Sequence, residues 1–229
     1  MDDARGGTTA ETIISVTELS LRGERGTVYG PHTFDIEDGE LAVLQSPPGT
    51  GRTALLLTLT ARMRPGSGSA TILGMPYPKR GHRIRKHTAI AGFSTSDDLD
   101  DSLTVRDALR ERATWNSPWY RPMGRPGDDE VEEACGPVFG ERPIPAAKTV
   151  LWDLSQLDRL LLQISLSMMS SPRILAVDDL AQIEDSIERG FLVERLAALT
   201  ERTTVLTTSV DPVADHPAVL RLELAASRH

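Results

Sequence analysis

The sequence predicts an α/β fold with a mostly parallel core sheet, an antiparallel N-terminal β part and an inserted helical lobe. Three observations predict it. Short, wholly apolar runs such as residues 174–177 alternate with helical patterns, as strands covered on both faces do. Residues 13–21 instead alternate apolar and polar side chains, the mark of a half-buried strand. Residues 40–44 are strand-like and lead through a Gly/Pro-rich loop into a helix that opens at residues 53–59.

In order along the chain, residues 13–21 read as a first strand, 32–36 as a second and 41–45 as a third. The run Pro65-Gly66-Ser67-Gly68-Ser69 signals a turn before a strand at 70–73, and another short strand follows at 88–93. A helix begins within 103–109, with Thr104 as its N-cap. From 115 to 147 prolines and glycines become frequent, and Trp115, Trp119 and Tyr120 cluster. These aromatics read equally as core or as a docking surface. Residues 154–169 return to helical periodicity and stop at Ser170-Ser171-Pro172. A strand at 174–177 ends in Asp178-Asp179, a helix covers 187–200, and 203–208 is a β-branched strand. We expect one domain over residues 1–229, the helical lobe inserted at about 96–155, and no internal repeat.

Composition narrows the function. At 229 residues, with 39% hydrophobic and 25% charged side chains, the chain suits a soluble globular domain. Its net charge of −8 argues against nucleic acid as a partner. The local exception, residues 79–87, reads as a solvated loop and helix start or as a patch for an acidic partner or headgroups. No apolar run approaches the roughly 20 residues of a membrane span, and the polar N-terminus carries no secretory signal. The single cysteine, Cys135, excludes an internal disulfide and a cysteine metal cluster, and fits a reduced cytoplasmic setting. His82, His87 and His216 show no ligand spacing.

The loop Ser46-Pro47-Pro48-Gly49-Thr50-Gly51-Arg52-Thr53 fits the phosphate-binding pattern G-x-x-x-x-G-K-[ST] if Ser46 stands for the first glycine and Arg52 for the lysine. Such a loop aims backbone N–H groups and the positive end of a helix dipole at one point, which suits a polyphosphate. The bland alternative is a strand–helix turn without a ligand. Asp178, a carboxylate ending a buried strand, stands where α/β folds bind ligands.

Beyond the loop, residues 64–74 are similar to a family's turn and strand after its first helix. Leu99-Asp100-Asp101-Ser102-Leu103-Thr104-Val105 is similar to its entry into a helical lobe. Asp153-Leu154-Ser155, a helix, Pro172 and the strand ending in Asp178 follow its signature-to-Walker-B spacing. Over about residues 13–211 the chain resembles the nucleotide-binding domain of ATP-binding cassette (ABC) transporters, a P-loop NTPase fold of ABC type. The resemblance implies ATP and Mg²⁺ as cofactors, nucleotide contacts from Ser46 to Ala54, and Mg²⁺ on Thr53 and Asp178. It places Asp179 where the family polarises the attacking water with a glutamate, Thr95 at the Q-loop glutamine, and Ser155 in the signature. Asp185 falls at the D-loop aspartate, and Ser209 at the histidine facing the γ-phosphate.

Several of these positions depart from the family pattern. Arg52 is a broad planar fork rather than a compact point charge. Asp179 retracts its carboxylate by about one C–C bond. Thr95 reaches less far than glutamine. The signature Leu154-Ser155-Gln156-Leu157-Asp158 lacks both glycines, and Ser155 reads equally as a plain helix cap. Ser209 reads more simply as a loop serine. Gly23 lies near the position of the adenine-stacking aromatic, with Tyr29 a candidate substitute.

The resemblance therefore implies an ATP-binding subunit on the cytoplasmic face of the membrane, held there by a permease partner. It pairs head-to-tail with a second copy or with another ABC ATPase subunit. The replaced groups predict weak nucleotide binding and slow or absent hydrolysis. The alternatives are a non-enzymatic pseudo-ATPase module and a soluble P-loop protein with other phosphate chemistry; residues 99–109 argue against the latter.

Overall fold

The computed structural model describes residues 11–24, 26–93, 100–116, 126–211 and 219–224, the side chains of residues 115 and 116 apart. The chain opens with a hairpin of β1 (Thr12–Gly23) and β2 (Gly26–Glu37). β4 (Ser67–Ile72) and β5 (Met75–Tyr77) extend it into an antiparallel sheet of order β2-β1-β4-β5. In β1 the pairing slips between Val16 and Leu19, and Glu18 adopts a φ of 48°. That irregularity resets the alternation, so Val16 and Leu19, an odd number of residues apart, are both buried.

The second sheet holds β3 (Leu41–Gln45), β6 (Thr88–Ala91), β7 (Ile174–Val177), β8 (Thr204–Ser209) and β9 (Val219–Glu223). Its order is β6-β7-β8-β3-β9, and every neighbouring pair is parallel. The period-2 geometry of a strand sorts its residues into two cores. Leu41, Val43, Leu175, Val177 and Val205 face one; Ala42, Leu44, Ile174, Ala176 and Leu206 face the other. Both faces are covered, which is why these strands read as unbroken apolar runs.

On the second face lie α1 (Arg52–Leu59) and the antiparallel sheet, through Leu55, Leu56 and Leu59 against Ile14, Val16 and Ile36. On the first lie α3 (Val105–Asn116), α4 (Asp128–Phe139), α5 (Gln156–Met168) and α6 (Ser186–Leu199). The polar residues interrupting the apolar run of α5 are satisfied there. Ser165 Oγ donates to the Leu161 carbonyl, and Ser167 Oγ crosses to the Ile90 carbonyl of β6, each at 2.8 Å.

The architecture agrees with the predicted class, and the strand at 41–45 and that at 174–177 match residue for residue. The second strand runs longer than residues 32–36, because pairing with β1 carries it back to Gly26. The periodicity did not disclose β5, β9 or α4, whereas the helix start read in the basic run is the short helix α2 (Gly81–Arg85). In α4 a buried stripe of Val131, Cys135, Val138 and Phe139 has helical spacing, but Gly136, Pro137 and Gly140 mask it. Thr104 stands at the head of α3 with the capping direction reversed: its N–H and hydroxyl both donate to Asp107 Oδ2, at 3.2 and 2.5 Å. In the basic run 79–87, Ile84 is buried while its charged neighbours stay exposed, the solvated-surface reading. Trp119, Tyr120 and His216 lie outside the described residues, as does the side chain of Trp115.

Burial pushes the Cys135 thiol up to about 11. Burial also lowers the pKa of His32, whose ring stacks on Tyr29 with centroids 6.3 Å apart. The unfolded chain protonates His32 near pH 6.5 and the folded chain only below that. Its contribution to stability is therefore complete above about pH 6.5 and lost as pH falls through the folded value. The melting temperature should drop between pH 7 and 5.5, and less so in His32→Gln, as read by circular dichroism.

Candidate functional site

Five parallel strands deliver their carboxyl ends to one edge. In register, Gln45 of β3 lies beside Ser209 of β8, and Val177 of β7 beside Thr207. The residues that follow must meet there: Ser46 after β3, Asp178 after β7, and Ser209 at the end of β8. Ser46 is buried, and its N–H donates to the Ser209 carbonyl at 3.3 Å.

The loop from Ser46 to Gly51 is folded by its own side chains. The hydroxyls of Ser46 and Thr50 bond to each other, and Thr50 Oγ1 donates to the Pro47 carbonyl at 2.7 Å. Gly49 and Gly51 take φ values of 78° and 76°. A Cβ on Gly51 would stand 2.2 Å from the Val28 carbonyl of β2, whereas one on Gly49 would meet nothing within 4 Å. Gly51 is also the N-cap of α1, so no side chain caps that helix, and its first turn carries no acid. Its leading N–H groups face a cleft of about 690 Å³ between Gly49, Arg52 and Thr53 on one side and Gly23, Gly26 and Thr27 on the other.

Thr53 and Asp178, which are 125 residues apart in the chain, are in contact: Thr53 Oγ1 donates to Asp178 Oδ2 at 2.7 Å. The other carboxylate oxygen accepts from Thr208 Oγ1 at 3.0 Å, and the Gln182 amide holds the Asp178 carbonyl at 2.6 Å. Thr208 in turn accepts from the Asp179 N–H at 2.9 Å. Asp179 has a φ of 41°, and its Oδ1 accepts from the Ala181 N–H at 3.1 Å. Its Oδ2 lies 3.8 Å from Arg52 Nη2. Arg52 Nη1 is buried with no partner.

Other candidates are committed elsewhere. Ser209 Oγ donates to the Asp211 carbonyl at 2.6 Å. Ser155 caps α5, accepting from the Asp158 N–H at 3.0 Å and donating to Asp158 Oδ2 at 2.7 Å. Asp185 caps α6 through the N–H groups of Ile187 and Glu188. Arg142 ties these two helix starts together, donating to Asp158 at 2.5 Å and to Glu188 at 3.2 Å. The hydrogen bond to Asp158 is the largest cause raising its pKa. Ala54 is half-buried on α1, and Thr95 lies outside the described residues.

Tyr29 is corrected as a base-stacking substitute. It is wholly buried, and its hydroxyl donates to Thr58 at 2.8 Å, so the ring is spent on the core. Gly23 does line the cleft. Thr208, Gln182 and Arg142 went unnoticed in the sequence. The hydroxyl of Thr208, in a strand that ends beside Asp178, is the signal that would have found it.

The profile of the family described as ABC transporter matches residues 29–182. This chain belongs to that family. Among curated relatives of this ABC chain, the "Probable multidrug ABC transporter ATP-binding protein YbhF" of Escherichia coli is 27% identical over 204 residues, 89% of this chain and 34% of the relative. Nod factor export ATP-binding protein I of Rhizobium meliloti is 27% identical over 206 residues, 89% of this chain and 58% of the relative. The chain thus spans between a third and six tenths of these relatives' length. In fold it matches cbiO1 from Clostridium perfringens, part of the ABC transporter complex cbiONQ. There the TM-score is 0.70 at 18% identity, covering 88% of this chain and 79% of that one. A bacterial Atm1-family ABC exporter with ATP bound matches at a TM-score of 0.68 and 16% identity, covering 96% of this chain and 40% of that one. Among the described residues of the ABC chain, no helix is long and apolar enough to cross a membrane.

The two loop glycines should separate in a urea titration. Gly49→Ala should cost about 1 kcal/mol, the left-handed backbone penalty alone. Gly51→Ala should cost about 1–3 kcal/mol more, because the Val28 carbonyl must also move.

Proposed function

We propose that this chain is the ATP-binding subunit of an ABC transporter, taking up Mg-ATP at the loop and working through a membrane permease, with slow or absent hydrolysis of its own. The contact of Thr53 with Asp178 carries the reading, because it joins a hydroxyl at an uncapped helix start to a strand-end carboxylate. The donor set fits the implied cofactors. One carboxylate and one hydroxyl suit Mg²⁺, a hard cation that takes few protein ligands and completes its shell with phosphates and water. The orphan Nη1 of Arg52 and the free N–H groups of α1 suit a polyphosphate. When bound, Mg²⁺ supplies charge neutralisation across phosphate oxygens.

Slow hydrolysis follows from where the remaining groups point. Asp179, at the position of the water-polarising glutamate, spends one oxygen on Ala181 and turns the other to Arg52. Ser209 spends its hydroxyl on Asp211. In the signature, Leu157 is buried in the core where the family has glycine, which removes close backbone approach to a partner's nucleotide. Losing one transition-state group costs on the order of 10²-fold in rate or more, and such losses are not additive.

The reading extends to one nucleotide-binding domain with a lobe at about 96–155, on the cytoplasmic face of the membrane, paired with a second copy or another ABC ATPase subunit. The net charge of −8 argues against nucleic acid. The second reading, a pseudo-ATPase module acting through partner contacts, draws on the α5 start, where Asp158 and Ser155 satisfy each other. Phosphate release above background by the purified chain would exclude that second reading.

Thermal unfolding with Mg-ATP tests nucleotide binding. At 100 times the dissociation constant the gain is about 2.7 kcal/mol, roughly 5–10 °C for a chain of this size. The expected upward shift disappears in Asp178→Ala; no shift at saturating nucleotide would overturn the reading.

A further inference from the structure

We infer that Asp179 is the internal counter-ion of Arg52, so that a nucleotide phosphate and the Asp179 carboxylate compete for one guanidinium. This rests on the nucleotide-binding reading above. The Arg52 side chain is only 10% exposed, and a buried guanidinium needs a counter-charge. Among the described residues, the Asp179 carboxylate is the one acid within ion-pair distance of it. Asp178 is adjacent in sequence but already committed, its oxygens accepting from Thr53 and Thr208.

The backbone is arranged to aim Asp179 this way. Its φ of 41° is a conformation L-residues avoid, held by its N–H on Thr208 and by its Oδ1 on the Ala181 N–H. That leaves Oδ2 facing Arg52. At 3.8 Å the pair is an ion pair without a hydrogen bond, and Nη1 finds no acceptor at all. A guanidinium is best satisfied by two acceptors side by side. The carboxylate provides neither at hydrogen-bond distance, whereas a phosphate at the α1 start can offer both. Two departures from the family pattern thus become one device: a longer cation meets a shorter anion beside the loop. Uptake of a phosphate releases Asp179, so its carboxylate becomes free only when the site is filled.

Titration of the purified chain with trinitrophenyl-ATP in EDTA, read by fluorescence, tests this directly. Asp179→Asn keeps the acceptor for Ala181 and a side chain that tolerates positive φ. It should bind roughly 3- to 10-fold tighter than the parent, the scale of a partly exposed ion pair. Glu24→Gln removes one charge from the lining of the same cleft without touching the Arg52 pair and should stay within about twofold of the parent. Equal gains in both variants would mean simple charge repulsion and would overturn the proposal, as would no gain in Asp179→Asn. Both folds are checked by circular dichroism. If the parent binds neither in EDTA nor with Mg²⁺, the nucleotide reading fails and this inference with it; a parent that binds while Asp179→Asn gains nothing overturns the inference alone.

Discussion

The level carboxyl ends of the parallel strands are the constraint on which the rest depends. Parallel pairing places Gln45 beside Ser209 and Val177 beside Thr207, so whatever follows each strand arrives at one edge. A hydroxyl from α1, a carboxylate from β7 and a hydroxyl from β8 then link in a row, Thr53 to Asp178 to Thr208. Asp178 and Thr208 are buried, Thr53 lies at the surface, and each satisfies the next. The site is an outcome of the sheet's register, and shifting one strand by a residue would turn its partner groups to the other face.

The polar groups around the site fall into two kinds. Thr53 and Asp178 serve each other, with Thr53 lining the cleft. The other polar groups have partners away from that contact: Asp179 with Ala181 and Arg52, Ser209 with Asp211, Ser155 with Asp158. Each such bond must be broken before the group can act on anything else, at a cost on the order of 1 kcal/mol or more. These polar groups are satisfied within the chain, Arg52 Nη1 being the exception.

Sequence reading reached the core sheet because its strands are covered on both faces and so are wholly apolar. It reached the loop because glycines with positive φ, a strand and a helix occur together there. It missed α4, where Gly136 and Pro137 hide a buried stripe that shows only when Val131, Cys135, Val138 and Phe139 are counted at helical spacing. It missed the orientation of Tyr29, since a strand residue's depth depends on which helix lies beneath it, here α1 with Thr58. The pairing of Arg52 with Asp179 lay beyond it too, because two residues 127 positions apart become neighbours only through the register of β3 and β7 with β8 between them.

Two arginines tie the carboxyl end of α4 to its neighbours. Arg142, in the segment after α4, grips the starts of both α5 and α6. From α6, Arg195 donates to the carbonyls of Val138 and Pro137 at 3.0 and 2.9 Å. The far end of α4 is therefore bolted to two helices that lie on the parallel sheet. Mechanically, the carboxyl end of α4 is coupled to the sheet, so a load applied there passes into α5 and α6 rather than bending the helix away from them.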